Sequence, residues 1–168
     1  MSNEQMEFAD FFEASWDPCL RAVTAVVGSP QLAEDQVAEA FARAFASWRK
    51  VGRHPAPRAW VVRTALNAGA SWWHRRSREL PLADHDVTAP ADPADPGDGV
   101  SGVMLAALHG LPARQREVIA LRVFLDLDIE AIARQLGIAP ATVRVHLARA
   151  VAALRHHLVQ PKTMEVDQ

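Results

Sequence analysis

The chain contains 168 residues, of which 49% are hydrophobic, and it carries a formal net charge of −2. This length allows one domain or two small ones, each with a modest core. A single cysteine, Cys19, excludes an intramolecular disulfide framework and offers no cysteine spacing for zinc. The sequence has no apolar run near the roughly 20 residues that span a bilayer and no signal-peptide pattern. We therefore expect a cytoplasmic protein with no membrane segment.

The first part of the chain has the apolar periodicity of helices. Aromatic and aliphatic residues recur at helical spacing from Phe8 to Val27, and residues 28–30 break this pattern with glycine, serine and proline. A second segment, from Gln31 to Trp48, has one apolar face and one polar face. The polar face contains Asp35, Glu39 and Arg43. Without further information, the simplest interpretation of this polar face is a helix surface exposed to solvent.

Tryptophans and arginines are combined in a third segment, which follows Pro55 and Pro57 and reads RAWVVRTALNAGASWWHRRSRE. Aromatic rings stack on bases and cationic groups hold phosphates, so this combination suits single-stranded nucleic acid. The alternative is that at least two of the tryptophans belong to the core. The arginines between positions 75 and 78 also fit a solvated helix end, where cations are favoured.

An acidic stretch separates the two halves of the chain. Residues 80–100 contain five aspartates and no lysine or arginine, so the rest of the chain has 18 basic residues against 15 acidic ones, a net charge of +3. Four prolines and two glycines in the same stretch break any helix. The composition predicts a flexible linker between two mildly basic domains.

Residues 128–155 predict two helices joined by a tight turn. Asp128 is suited to cap the first helix, Gly137 to end it in a left-handed conformation, and Pro140 to begin the second. The predicted buried stripe of the second helix is Val143, Leu147, Ala150 and Leu154, and the residues expected to point outward are Thr142, Arg144, Val145, His146 and Arg149. This pattern is typical of a helix-turn-helix that places its second helix in a DNA major groove. The alternative is a helical hairpin with solvated arginines.

The whole pattern predicts an all-α fold, because no strand-like alternation or hairpin dipeptide occurs. We expect two small helical domains, at 1–79 and 101–160, joined by a flexible acidic linker at 80–100 and followed by a tail at 161–168, with the helix-turn-helix in the second domain. The sequence also lacks the common phosphate-loop, dinucleotide, nucleophile-elbow and zinc-protease motifs. We therefore expect no catalysis, no cofactor and no metal site.

Taken in order, the motifs resemble bacterial RNA polymerase sigma factors of the extracytoplasmic-function type, which keep only regions two and four of the sigma-70 family. AEDQVAEAFARAFASW resembles the polymerase-binding helix of region two, and PRAWVVRTALNAGASWWHRR resembles the helices that capture the melted minus-ten element. LPARQREVIALRVFLDLDIEAIARQLGIAPATVRVHLARAVAALR is similar to the region-four pattern. The resemblance covers nearly the whole chain. It implies a protein that binds core RNA polymerase, directs it to promoters and promotes DNA opening.

The resemblance also implies a role for each candidate site residue. The implied polymerase contacts are Asp35, Glu39 and Arg43. The implied contacts to the minus-ten element, where a flipped base is held and phosphates are bound, are Trp60, Arg63, Asn67, Arg75 and Arg76. The implied contacts to the minus-thirty-five element are Thr142, Arg144, His146 and Arg149. Arg144 suits a bidentate contact to guanine, and Arg149 suits a phosphate.

Five positions depart from the usual family residues, and two of them, Val145 and His146, stand where more polar or basic residues are usual. Ala38 stands where glutamine is common, Ala139 replaces the usual serine or threonine cap, and Asp126 occupies a turn position commonly held by glycine. These departures leave the fold unaffected but make the promoter preference unreadable. The implied partners are core RNA polymerase and promoter DNA, both duplex and melted non-template strand, and an anti-sigma factor is a further candidate.

Two other classes of function are open from the sequence. A stand-alone helix-turn-helix regulator would bind duplex DNA as a dimer, but it would leave the tryptophan and arginine segment without a role. A helical interaction protein that titrates a regulator would bind no DNA.

Overall fold

The computed structural model describes residues 1–79 and 102–159, which form eight helices and no strand. The all-α prediction is therefore confirmed for the described residues, whereas the predicted linker and tail lie outside them. The helices are α1 (Asn3–Val27), α2 (Pro30–Ala46), α3 (Trp48–Val51), α4 (Pro57–Glu79), α5 (Gly102–His109), α6 (Ala113–Phe124), α7 (Ile129–Leu136) and α8 (Pro140–Val159). No helix in 1–79 or 102–159 has the length and hydropathy needed to cross a membrane.

The predicted break between the first two helices is confirmed, and local hydrogen bonds explain it. Gly28 ends α1 at φ +82°, a left-handed conformation that favours glycine, and its N–H donates to the Thr24 carbonyl at 2.8 Å. The Ser29 hydroxyl then accepts from the Leu32 N–H at 3.3 Å. Pro30 occupies the first position of α2, where its missing N–H is harmless.

The second helix ends at Ala46, two residues before the predicted end at Trp48. Ser47 leaves the helical conformation, with φ −120° and ψ 27°, and Trp48 begins the short helix α3. This bend brings the Trp48 ring against α1, with its centroid 5.3 Å from Phe8 and 5.1 Å from Phe11. Tertiary packing of one aromatic ring therefore overrides the continuous helical pattern.

Pro18 lies inside α1 without ending it. Because proline has no N–H, the Ala14 carbonyl four residues earlier has no donor from the helix. The Arg58 guanidinium supplies one, since Nη2 donates to the Ala14 carbonyl at 2.7 Å and Nε donates to the Ser15 hydroxyl at 3.1 Å. The hydrogen bond that Pro18 leaves unmade in α1 is thus replaced by one from Arg58, which holds the beginning of α4 against α1.

The helices form two units, which we call the first unit (residues 1–79) and the second unit (residues 102–159). In the first unit, α1, α2 and α4 pack on one another, and in the second α6 and α7 pack on α8. The units also contact each other, because α1 packs against α5 and α6. Arg116 Nη1 donates to the Val26 carbonyl at 2.9 Å across this contact. Buried side chains from both units form one continuous cluster, which the sequence did not predict.

Candidate nucleic-acid interface

The helix-turn-helix predicted from residues 128–155 is present as α7 and α8, and its capping interactions are those expected. The Asp128 carboxylate accepts from the Ala131 N–H at 2.7 Å. Gly137 ends α7 at φ +64°, with its N–H bonded to the Ala133 carbonyl, and α8 begins at Pro140. Val143 and Ala150 are fully buried on the inner side of α8. The local sequence therefore determines both helix ends and the turn between them.

The outer face of α8 is accessible to a partner. Thr142, Arg144 and Arg149 are exposed, as predicted, and 46% of Val145 is exposed. The Arg144 guanidinium lies 3.7 Å from the Glu130 carboxylate on α7, and both side chains are more than half exposed. The sequence did not predict this pair. Two exposed arginines and a small polar side chain thus share a surface suited to a DNA groove.

The prediction that His146 points outward is wrong. His146 is half-buried, and its buried Nδ1 atom has no hydrogen-bond partner among the described residues. The reason is its spacing, because residue 146 follows the buried Val143 by three positions and precedes the buried Ala150 by four. It therefore lies at the edge of the inner face of α8.

On α4, Trp60, Arg63 and Asn67 lie on one side of the helix but differ in exposure. Trp60 is half-buried and packs against the core, whereas Arg63 and Asn67 are exposed. Arg75 and Arg76 belong to the last part of α4, and their side chains lie outside the part of the chain that the structure describes. The half-buried ring of Trp60 thus lies beside two exposed polar groups, the Arg63 guanidinium and the Asn67 amide.

A cavity of about 190 Å³ lies beside Arg63 and Asn67. Its opposite wall includes Gln135 and Leu136, at the C-terminal end of α7, and the Arg63 guanidinium donates to the Gln135 carbonyl. The nucleic-acid candidates of the first unit are therefore adjacent to the helix-turn-helix of the second. Neither the contact nor the cavity was predicted from the sequence.

The polar face predicted on α2 is exposed. Asp35 and Glu39 are both accessible, and Arg43 Nε lies 2.9 Å from the Glu39 carboxylate in an ion pair of spacing i, i+4. Close packing holds the buried side of α2, where Val37, Ala40 and Ala44 are fully buried, and at its edge a Cβ atom at Gly69 of α4 would collide with the Gln36 side chain. The exposed face is thus presented on a helix that is fixed from behind.

An aromatic patch, which the sequence pattern does not predict, continues from α2 to α1. Phe45 is 51% exposed, and its ring centroid lies 4.9 Å from that of Phe8. Phe12 is 37% exposed and makes an edge-on contact with Phe41 at 5.0 Å. In the sequence, these phenylalanines lie on the apolar sides of their helices. That pattern predicts burial and does not indicate that Phe12 and Phe45 remain exposed to solvent.

Burial changes the pKa of two groups near the contact between α1 and its neighbours. Desolvation raises the pKa of the Cys19 thiol to about 12, although the positive charge of Arg58 opposes this shift. Desolvation also lowers the pKa of the Arg116 guanidinium. Within residues 1–79 and 102–159, no group of three or more histidine, cysteine, aspartate or glutamate side chains could hold a metal ion.

Comparison with known proteins matches the two units to two regions of one protein family. Residues 15–79 match the family described as Sigma-70 region 2, and residues 101–154 match Sigma-70, region 4. The chain is 29% identical over 156 residues to an RNA polymerase sigma-E factor of Streptomyces coelicolor, covering 93% of this chain and 88% of that protein. It is 27% identical over 164 residues to an RNA polymerase sigma-E factor of Streptomyces antibioticus, covering 98% and 89%.

A solved structure has a similar fold. It is a complex of the sigma factor RpoE with the anti-sigma factor NepR from Bartonella quintana. The sigma-factor fold superposes with a TM-score of 0.71 at 23% sequence identity, and the match covers 96% of this chain and 98% of that one. The similarity extends over both units.

Proposed function

This chain belongs to the sigma-70 family, and from that premise we propose how its two units divide the work of promoter recognition. A protein with regions two and four of this family is a sigma factor, which binds core RNA polymerase and directs it to promoters. We assign residues 1–79 to region two, 80–100 to the linker and 101–160 to region four. The chain itself carries out no catalysis and acts in the cytoplasm, with RNA polymerase as the enzyme.

The exposed face of α2 is the proposed polymerase contact. Asp35, Glu39 and Arg43 present both signs of charge on one side of a helix whose other side is tightly packed. Such a mixed surface favours one register of docking over others, because like charges repel in the wrong alignment. A rigid helix also loses little conformational freedom when it docks.

Helix α4 is the proposed reader of the melted minus-ten strand. Arg63 and Asn67 are exposed, so a guanidinium and an amide are available to phosphate and base edges, while Trp60 offers an aromatic edge beside them. Arg75 and Arg76 extend the same helix with two further positive charges. Capture of an unpaired base stabilises the opened duplex.

Helix α8 is the proposed reader of the minus-thirty-five duplex, and its exposed face is the observation that carries the assignment. Thr142, Arg144 and Arg149 are accessible on the second helix of a well-capped helix-turn-helix. We assign Arg144 to a contact with guanine and Arg149 to a contact with a phosphate. His146 is half-buried at the edge of that face, and we assign it no contact with DNA.

An anti-sigma factor is a proposed partner in addition to polymerase and promoter DNA. The Bartonella quintana protein was solved with such a factor, and the fold similarity covers both units of this chain. A stand-alone regulator is the less favoured function, since it gives no role to the exposed residues of α4.

The test combines the full chain with core RNA polymerase and a library of promoter fragments. We expect tight association with polymerase, weak binding of the chain alone to DNA, and strand opening only when all components are present. Strong binding of the chain alone to duplex DNA as a dimer would instead support the stand-alone regulator.

Substitution of Arg144 by alanine tests the assignment of α8 within that assay. We expect discrimination at one base pair of the minus-thirty-five element to fall by about 1–3 kcal/mol, because a bidentate contact is lost. Arg155→Ala is the control, since Arg155 is also exposed on α8 but lies roughly 16 Å farther along the helix. Equal loss of affinity for all sequences in the Arg144 variant would show a phosphate contact instead.

A further inference from the structure

The cavity beside Arg63 has walls from both units, and much of its lining is apolar. The apolar residues that line it include Val26, Ala59 and Val62 of the first unit and Ala120, Leu121 and Leu136 of the second. Ala59, Val62 and Ala120 have no exposed surface, so this part of the lining is shielded from solvent. Apolar pockets between units, with a few polar groups in their walls, are common places for proteins to bind small molecules.

The volume of the cavity limits the size of a molecule that fits. It is about 190 Å³. An apolar protein cavity of about 150 Å³ is large enough to bind benzene. The cavity between the units therefore accommodates one six-membered ring together with one small polar group.

The charged residues that line the cavity favour a negative charge on that polar group. Arg114 Nη1 lies 2.9 Å from Glu117 Oε2, so these two charges balance each other. Arg63 is exposed and donates to the main-chain carbonyl of Gln135, and it has no carboxylate partner within the described residues. A guanidinium has five N–H donors in a planar fork, which a carboxylate matches with two parallel hydrogen bonds.

We propose that this cavity is a binding site for a small aromatic carboxylate, with the ring against the apolar lining and the carboxylate on Arg63. Asn67, which also lines the cavity one turn farther along α4, offers a second donor. Such a ligand adds to the contacts between the units, which include the His109 ring against Gly28 with Arg116 beside it. It therefore stabilises the packing of one unit on the other.

Three probes of nearly equal shape separate the effect of charge from that of size. Benzoate, benzamide and benzamidinium share one ring and carry a negative, a neutral and a positive group at the same position. We expect benzoate to bind the full chain about tenfold more tightly than benzamide, and benzamidinium to bind less tightly than benzamide. Acetate, which lacks the ring, should bind more weakly than benzoate.

Nuclear magnetic resonance of the methyl groups measures these affinities and locates the ligand. We expect benzoate to shift the methyl signals of Val62 and Leu121, on opposite units, with the same concentration dependence. Equal affinities of the three aromatic probes would overturn the inference, as would shifts confined to residues that do not line the cavity.

Two variants test the ring and the charge separately. Ala120→Leu places three more carbons at the cavity wall, so we expect it to weaken benzoate binding at least tenfold, at roughly the cost of losing the ring contacts. Ala152→Leu, at an exposed position on α8, is its control. Unchanged binding by Ala120→Leu would overturn the site.

Arg63→Gln should lower the affinity for benzoate about tenfold and leave that for benzamide unchanged. Arg155→Gln removes the same charge at an exposed residue that does not line the cavity, and it should change neither affinity. Equal losses for benzoate and benzamide in Arg63→Gln would show that the charge has no role. Since Arg63 is exposed, this test stands even where Ala120→Leu fails to fold.

Occupation of the cavity has a consequence that rests on the proposed function of α4, because Arg63 and Asn67 are assigned to the melted minus-ten strand. We expect saturating benzoate to slow promoter opening by polymerase with the unmodified chain, but not with Ala120→Leu. Binding without any slowing would overturn this competition. If the chain opens no promoter even without benzoate, the proposed function fails and the binding result stands, whereas normal opening without benzoate binding removes this inference alone.

Discussion

Gly137 is a residue whose conformation, rather than its contacts, determines its importance. Its φ is +64°, and a Cβ atom there would meet no atom within 4 Å. We expect Gly137→Ala to lower the free energy of unfolding by about 1 kcal/mol through the left-handed conformation alone. Gly102→Ala is the control, since a Cβ there also meets nothing but φ is not positive. Urea unfolding of both variants measures the difference, and equal stabilities would contradict the prediction.

Cys19 makes the stability of the fold depend on pH in the alkaline range. Burial raises its pKa from 9.0 to about 12, so the folded protein keeps the neutral thiol where the unfolded chain ionises. The stabilisation is complete below pH 9 and is lost as the pH rises from 9 towards 12, by about 1.4 kcal/mol per pH unit. Urea unfolding between pH 8 and 11 measures this slope.

The Cys19→Ala variant provides the control for that slope. It loses packing at every pH, but it removes the ionisable thiol and therefore the contribution of this group to the slope. Alkylation gives an independent check, because the native thiol should react far more slowly at pH 8 than the thiol of the unfolded chain. Rapid alkylation of the native protein would show that the thiol is accessible.

Residues with local roles were the easiest to predict from the sequence. Asp128 and Gly137 act on their own backbone neighbours, and both behave as expected. Asp126 departs from the glycine usual at its position, yet it keeps the left-handed conformation, with φ 52°, which aspartate tolerates better than most residues. His146 was predicted wrongly because a residue at the edge of a helical stripe is assigned to either face by small differences in packing.

Helix periodicity predicted α1, α2, α7 and α8, but it gave no signal for interactions between helices. The pairing of Arg58 with the carbonyl left free by Pro18 links positions more than 40 residues apart. No property of either residue alone indicates this pairing. The shortening of α2 and the new helix α3 have the same origin, since the position of the Trp48 ring depends on α1.

The Pro18 and Arg58 relationship can be tested as a double-mutant cycle. Arg58→Ala should destabilise the fold by about 1–2 kcal/mol, because the Ala14 carbonyl and the Ser15 hydroxyl lose their donor. In a Pro18→Ala background, the new N–H of residue 18 can bond to Ala14, so the same change should cost about 1 kcal/mol less. Thermal unfolding of the four proteins measures the coupling. Arg53→Ala, at an exposed position, should show none.

The packing of one unit on the other could not be predicted from the sequence. Val26 and His109 have the composition of ordinary helix surfaces and ends, and Arg116 lies in the region-four motif, which gives no sign of a contact with α1. An interface that brings them together depends on surfaces of two separately folded units, and shape complementarity leaves little trace in helical periodicity. For this reason the sequence suggested two independent units, whereas the structure has a continuous core.

The continuous core predicts that the two units unfold together, and the distribution of tryptophans allows a direct test. All five tryptophans lie in the first unit, so their fluorescence reports on that unit, whereas far-ultraviolet circular dichroism reports helices of both. We expect the two signals to give the same urea midpoint for the unmodified chain, because unfolding one unit exposes apolar surface of the other. Separate midpoints in that chain would contradict a shared core.

In Arg116→Glu, the same two signals should separate, since the variant removes the hydrogen bond to Val26 and places a carboxylate in the contact. The smaller second unit is expected to unfold at lower urea, so the circular dichroism signal should begin to fall before the fluorescence changes. Arg155→Glu, with the same change of charge outside the contact, should keep coincident midpoints. Coincident midpoints in both variants would mean that apolar packing between α1 and α6 couples the units without Arg116.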